Sequence, residues 1–203
     1  MRRSILVILA MLVTLSATAQ KKVVLSIEQE VGAGLAKGPV CFSTTEFVAA
    51  LPMGEVFSVG VGAGLRFGLP THTYSIVHEA GQKDKTRRTP CMELDIPVFL
   101  RLGCTFSIVI AQVDLGYAPG VLAMTRPGAI PGGKLDPCYS GFFVEPHVGL
   151  SLGAHSAVGM GILFQQGKYM NKESVITDTD MTVTTKTLSS FTSALTLRYA
   201  YRF

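Results

Sequence analysis

Through most of the chain, apolar residues take every second position and small or polar residues take the positions between. Period-two alternation places the two sets on opposite faces of a strand. The pattern is plainest in Val56 to Gly68, where Phe57, Val59, Val61, Ala63, Leu65 and Phe67 alternate with Ser58, Gly60, Gly62, Gly64 and Arg66. It predicts further strands over Val23–Leu35, about 42–51, Met92–Leu102, about 107–118, Phe142–Leu152, a run through Val158, Met160, Ile162 and Phe164, and a last one within Thr187–Phe203. The phase is least regular in 107–118, where Ile108 and Ile110 fall on the polar face. Three glycines on one face of Val56–Gly68 imply a crowded or sharply coiled surface. Their spacing is not GxGxxG and no helix follows, so they are not read as a phosphate loop.

The connections alternate in length. Those after the second, fourth and sixth strands are about three residues each: Pro52-Met53-Gly54, Gly103-Cys104-Thr105 and Ala154-His155-Ser156. The others carry Lys37-Gly38-Pro39 or run as long polar, Pro/Gly-rich or Thr-rich loops over 69–90, 119–140 and about 168–184. An all-β, eight-stranded antiparallel up-and-down transmembrane β-barrel has this rhythm, with short periplasmic turns and long external loops. A soluble barrel would carry the inverse phase, apolar inside and charged outside. Glycines and charges of both signs crowd the polar face, while Phe57, Phe67, Tyr199, Tyr201 and Phe203 stand towards strand ends on the apolar face. Both features favour lipid outside, although the chain has no Trp for an aromatic girdle.

Composition agrees with this. Hydrophobic residues make up 48% and mean hydropathy is +0.38, yet beyond the first residues no long unbroken apolar run occurs. Arg2 and Arg3, the apolar Ile5–Leu15 and the small residues Ala17-Thr18-Ala19 predict a signal peptide over 1–19, leaving a barrel domain over 20–203. The apolar run is too short to span comfortably, since a membrane helix needs ~20 residues. Without Arg2 and Arg3, the 18 Lys+Arg become 16, against 14 Asp+Glu. That balance gives no signature of a nucleic-acid partner. Export also permits disulfides. Cys41, Cys91, Cys104 and Cys138 allow three complete pairings and contain no CxxC, so neither a metal nor another cofactor is expected. The topology puts Cys41, Cys91 and Cys138 near the external rim and Cys104 in a periplasmic turn. A disulfide would then join two of the external three, with Cys91–Cys138 the preferred pair.

Met92-Glu93-Leu94-Asp95-Ile96-Pro97-Val98-Phe99-Leu100-Arg101 and the closing Tyr199-Ala200-Tyr201-Arg202-Phe203 resemble the porin-like outer-membrane β-barrel domain family, similar in architecture to the OmpA membrane domain. Met92 stands where the family usually has an aromatic, and Asp95 where it has Glu. The resemblance implies an outer-membrane location after export, lipid contacts, and recognition of Tyr199, Tyr201 and Phe203 by the barrel-assembly machinery. It implies almost nothing about activity.

The inward set carries the candidate chemistry: Glu28, Glu30, Arg66, Glu93, Asp95, Arg101, Asp114, Glu145, His147, Arg198 and Arg202. Charges in a narrow interior must pair. A plug of paired charges is therefore expected, with Arg198 and Arg202 facing Glu28 and Glu30, in a barrel with a structural or surface-interaction role. A narrow ion or solute channel in which those pairs re-form is the alternative. A lipid-modifying enzyme using Glu145, His147 and Ser151 is a weaker one, because no nucleophile motif surrounds Ser151; no catalytic residue is assigned. The basic loop 69–90, with Lys83, Lys85, Arg87 and Arg88, could meet lipopolysaccharide headgroups.

Overall fold

The computed structural model describes residues 23–35, 41–69, 71–77, 85–124, 141–176 and 181–203, with the backbone alone for 71–77, 85–90, 168–176 and 181–190. The expected signal peptide, 1–19, and Cys138 lie outside the described residues. In chain order the strands are β1 (Val24–Gly34), β2 (Cys41–Met53), β3 (Phe57–Gly68), β4 (Thr71–Val77), β5 (Lys85–Pro90), β6 (Met92–Asp95) and β7 (Val98–Phe106). β8 (Val109–Ala118), β9 (Gly120–Met124), β10 (Gly141–Ser151), β11 (Ser156–Ile176) and β12 (Met181–Arg202) follow.

Eight staves close into an antiparallel barrel: β1, β2, β3, β6 with β7, β8 with β9, β10, β11 and β12, the last pairing back onto β1. Closure leaves no stave with an unpaired edge within the barrel. The fourth and fifth staves are each broken once at a proline, because proline cannot donate to the ladder. The pairing bridges both breaks: Gly64 N donates to Pro97 O (2.9 Å) and Ile96 N to Pro119 O (3.0 Å).

The stagger of the barrel can be read from its register. Leu25 faces Ala49, which faces Val61, then Leu100, Leu115, Val144, Phe164 and Ser193. Ser193 O accepts from Leu35 N, so one circuit climbs from Leu25 to Leu35, ten residues up β1. In an eight-stranded barrel such a shear goes with strands tilted by roughly 35–45° and an interior only just wide enough for side chains.

Three sequence expectations are corrected. Gly103, Cys104 and Thr105 are not a turn but ladder residues of β7, facing Gln112, Ala111 and Ile110. The turn is at Ser107, whose φ of 57° is left-handed, and Ile108. Gly103 is small because a Cβ there would press on Ser58 Oγ across the ladder, and Ile110 is buried inward, which explains the irregular phase of that stave. Residues 69–90 contain the hairpin β4–β5. The Thr-rich 168–184 is mostly ladder, because threonine and valine favour extended backbone even where the stretch is polar. From Gly167↔Ser190 to Ile176↔Met181, β11 and β12 continue as an arm beyond their barrel partners. β4 joins β11 in parallel, from Lys172↔Tyr74 to Val175↔Val77, and β5 pairs with β4.

The phase of the staves places apolar side chains outside. Leu25, Ile27, Val31, Leu65, Leu100, Val148 and Leu197 are among many exposed on the outer wall, while Glu28, Glu30, Arg66, Arg101 and Asp114 are buried within. The inverse arrangement, expected of a soluble barrel, is thereby excluded. Most outward aromatics gather at two levels, Phe57, Phe106, Tyr201 and Phe203 near the turn end and Phe67, Tyr117, Phe142, Phe164 and Phe191 near the loop end, while Phe47 and Tyr199 lie between them. On β3, Phe57 and Phe67 are ten residues apart. At ~3.3 Å per residue and a tilt of roughly 40°, the two levels stand about 25 Å apart along the barrel axis.

Candidate functional site

The site follows from the same alternation that builds the wall. Every second residue of β1, β2, β7, β8, β10 and β12 points into a narrow interior, and these strands place Glu28, Glu30, Glu46, Arg101, Asp114, Glu145, His147 and Arg198 there, all buried. Register sets like charges directly opposite one another. Glu28 faces Glu46, and Asp114 faces Glu145. Such pairs are destabilising unless a cation lies between them.

Two arginines supply it. Arg101 holds Asp114 through two parallel hydrogen bonds, Nε to Oδ1 at 2.7 Å and Nη2 to Oδ2 at 2.8 Å, and reaches Glu28 Oε1 with Nη1 at 2.6 Å. The fork geometry suits guanidinium and no other cation in the chain. Arg198 donates from Nη2 to Glu30 Oε2 at 2.8 Å and from Nη1 to Asp114 Oδ2 at 2.9 Å. It also lies 3.4 Å from Glu28, and 3.6 Å from both Glu46 and Glu145. Asp114 is thus shared by both arginines, and five carboxylates from β1, β2, β8 and β10 meet two guanidinium groups from β7 and β12.

Towards the loop end of their strands, Phe42, Arg66 and Phe143 form a second layer. The Arg66 guanidinium lies over the Phe42 ring at 5.0 Å and the Phe143 ring at 5.5 Å, and it donates to Thr44 Oγ1 and Gln165 Oε1. Glycines make room for these groups. A Cβ on Gly32 would overlap the Phe42 ring, one on Gly62 the Phe99 ring, and one on Gly161 the His147 imidazole. The Gly60, Gly62 and Gly64 face is therefore crowded, as its sequence implied. Towards the turn end the interior is more open. A cavity of about 380 Å³ reaches from the turn residues Gly54, Glu55, Ala154 and His155 to Glu28, Arg101, His147 and Arg198.

Ten of the eleven residues predicted inward are buried in the barrel: Glu28, Glu30, Arg66, Glu93, Asp95, Arg101, Asp114, Glu145, His147 and Arg198. Arg66 and Asp95 face each other across the ladder. The remaining one, Arg202, is half-buried at the turn end, opposite Ser26 in register and lining the cavity mouth. Among the described residues its side chain takes no ion pair, so of the two predicted partners of Glu28 and Glu30 only Arg198 serves. Sequence reading passed over Glu46, which has the same inward phase as Phe42 and Val48 and was open to detection by counting from Phe47. Phe99 and Phe143 are in phase with Arg101 and Glu145 and so legible as inward from the same alternation, though alternation assigns the rings no role.

Tyr199, Tyr201 and Phe203 all point outward, and Phe203 N donates to Leu25 O at 2.9 Å. Cys91 is buried, while Cys41 and Cys104 carry free thiols, Cys104 half-buried in β7. The preferred pair Cys91–Cys138 involves a residue outside the described ones. Ser151 Oγ donates to Gly153 O at 2.9 Å and so serves the turn after β10. The chain matches no known protein-family model, and no curated protein matches it.

Proposed function

We propose that this protein is a small outer-membrane β-barrel whose lumen is a structural plug and whose loop-end sheet makes surface contacts. One observation carries the membrane placement. An apolar outer wall lies between two aromatic levels about 25 Å apart, the height of the apolar band of outer-membrane barrels. An apolar wall of this extent is unstable in water and stable in lipid. The predicted leader over 1–19 agrees with export, and the outward aromatics of β12 agree with the resemblance to porin-like barrels and with reading by an assembly machinery.

The plug reading rests on Arg101 and Arg198. They tie staves from opposite sides of the barrel, and separating them from five carboxylates would leave buried charges uncompensated. The functional surface is then the sheet of β12, β11, β4 and β5 at the loop end, whose outermost strand has the basic sequence Lys85-Thr86-Arg87-Arg88. Anionic lipopolysaccharide headgroups or a partner protein are the contacts it suits. Reconstitution into a planar bilayer should give no steady conductance steps. The 380 Å³ cavity favours a second reading, a narrow channel, because it already brings solvent to one side of the charge network. Discrete, reproducible ion steps from the unmodified protein would replace the first reading with the second.

A further inference from the structure

Acidic groups outnumber basic ones among the described residues inside the barrel. Among the described residues the buried carboxylates are Glu28, Glu30, Glu46, Glu93, Asp95, Asp114 and Glu145, and the buried arginines are Arg66, Arg101 and Arg198. Where carboxylates outnumber guanidinium groups in a low dielectric, the excess must take up protons or further positive charge. The excess is not spread evenly. Glu30, Glu145 and His147 each offer a ligand atom, and these atoms lie within 4.8 Å of one another.

Each member of this trio has donor capacity left over. Glu30 is 0% exposed and gives Oε2 to Arg198, while its Oε1 has no hydrogen bond. Glu145 turns Oε2 towards Arg198 at 3.6 Å, and its Oε1 also lacks a hydrogen bond. His147 is 5% exposed, and neither ring nitrogen makes a hydrogen bond. Its Nε2 stands 3.2 Å from Glu145 Oε1 and 3.7 Å from Glu30 Oε2. Ligand atoms about 2.0–2.2 Å from a tetrahedral cation lie roughly 3.4 Å apart, so side-chain adjustment alone would bring the three donors onto one ion.

We propose that Glu30, Glu145 and His147 form a luminal binding site for a divalent first-row cation, reached from the turn end through the 380 Å³ cavity that His147 lines. An imidazole with two carboxylates suits zinc and its neighbours better than magnesium or calcium, which prefer oxygen donors alone. Arg198 holds Glu30 through Oε2 and so orients its carboxylate towards His147. Cavity water would complete the coordination. The inference is independent of whether the barrel conducts, and it gives the interior a binding function that a purely structural plug lacks.

The test uses the full chain folded in detergent micelles, with its thiols alkylated and with His72, His78 and His155 replaced by alanine, so that His147 is the sole histidine. Equilibrium dialysis against zinc should load one ion per chain, and thermal unfolding should shift upwards in its presence. His147→Ala and Glu145→Gln should each weaken binding by at least tenfold, while folding is followed separately by gel migration. Failure of the sole-histidine chain to bind zinc would overturn the proposal, whatever the variants do. Equal binding by folded His147→Ala or Glu145→Gln would overturn it too, since zinc would then sit elsewhere.

Discussion

At the scale of single residues, the interior is governed by what each side chain leaves behind when removed. Arg198 touches Glu30 and Asp114 directly and has three more carboxylates within 3.6 Å. Replacing it with alanine strands several buried charges at once, and breaking a buried pair from one side costs about 3–5 kcal/mol. Arg198→Ala should therefore lower the unfolding free energy of the micelle-folded barrel by that order, read as a lower urea midpoint. Arg198→Lys, which keeps the charge but loses the fork, should recover part of the loss. Gly62 shows the complementary limit. Its missing side chain is where the Phe99 ring sits, and that ring lies 5.2 Å under the Arg101 guanidinium. Gly62→Ala should overpack this spot and destabilise by about 1–3 kcal/mol in the same unfolding assay. A milder change than Arg198→Ala is expected because a ring can shift, whereas stranded carboxylates must be neutralised or resolvated at greater cost.

At the scale of elements, legibility in the sequence tracked burial on both sides of the strand. β3 and β10 were readable almost to the residue, because each position meets either the outer wall or the crowded interior and a slip by one would invert both. The arm gave no such signal. Threonine, serine, lysine and valine over about 168–184 form no apolar stripe, so that stretch reads as loop although the backbone pairs from Gly167↔Ser190 to Ile176↔Met181. The missed Glu46 has a related cause: β2 carries Thr45, Ala49 and other weakly apolar residues on its outer face, and that weak outer face hid the inner one. Because the arm lies beyond the pairs that close the barrel, it is separable from it. Replacing 168–189 with a short Gly-Ser turn should leave the barrel folded, seen as unchanged heat-sensitive gel migration. The same change should abolish binding to lipopolysaccharide-bearing vesicles or to a surface partner if the loop-end sheet provides it.

At the scale of the whole molecule, the outer wall and the inner network constrain the same set of strands from two sides. The proposed membrane barrel should migrate as a compact species in cold detergent and shift only on boiling, as staves locked by closure resist detergent. Absence of that shift would count against the membrane reading and leave the fold untouched. The seam of the barrel adds a demand of another kind. Ser26 pairs with Arg202 and Gly34 with Ala194, partners separated by almost the entire chain. Every other stave meets its neighbour soon after synthesis, but this pairing must wait until β12 exists, and loop closure over such a length is slow. Until then β1 and its neighbours expose hydrogen-bonding edges beside an apolar wall, a state prone to aggregate. Timing, more than stability, therefore limits whether the barrel closes before its open edges aggregate.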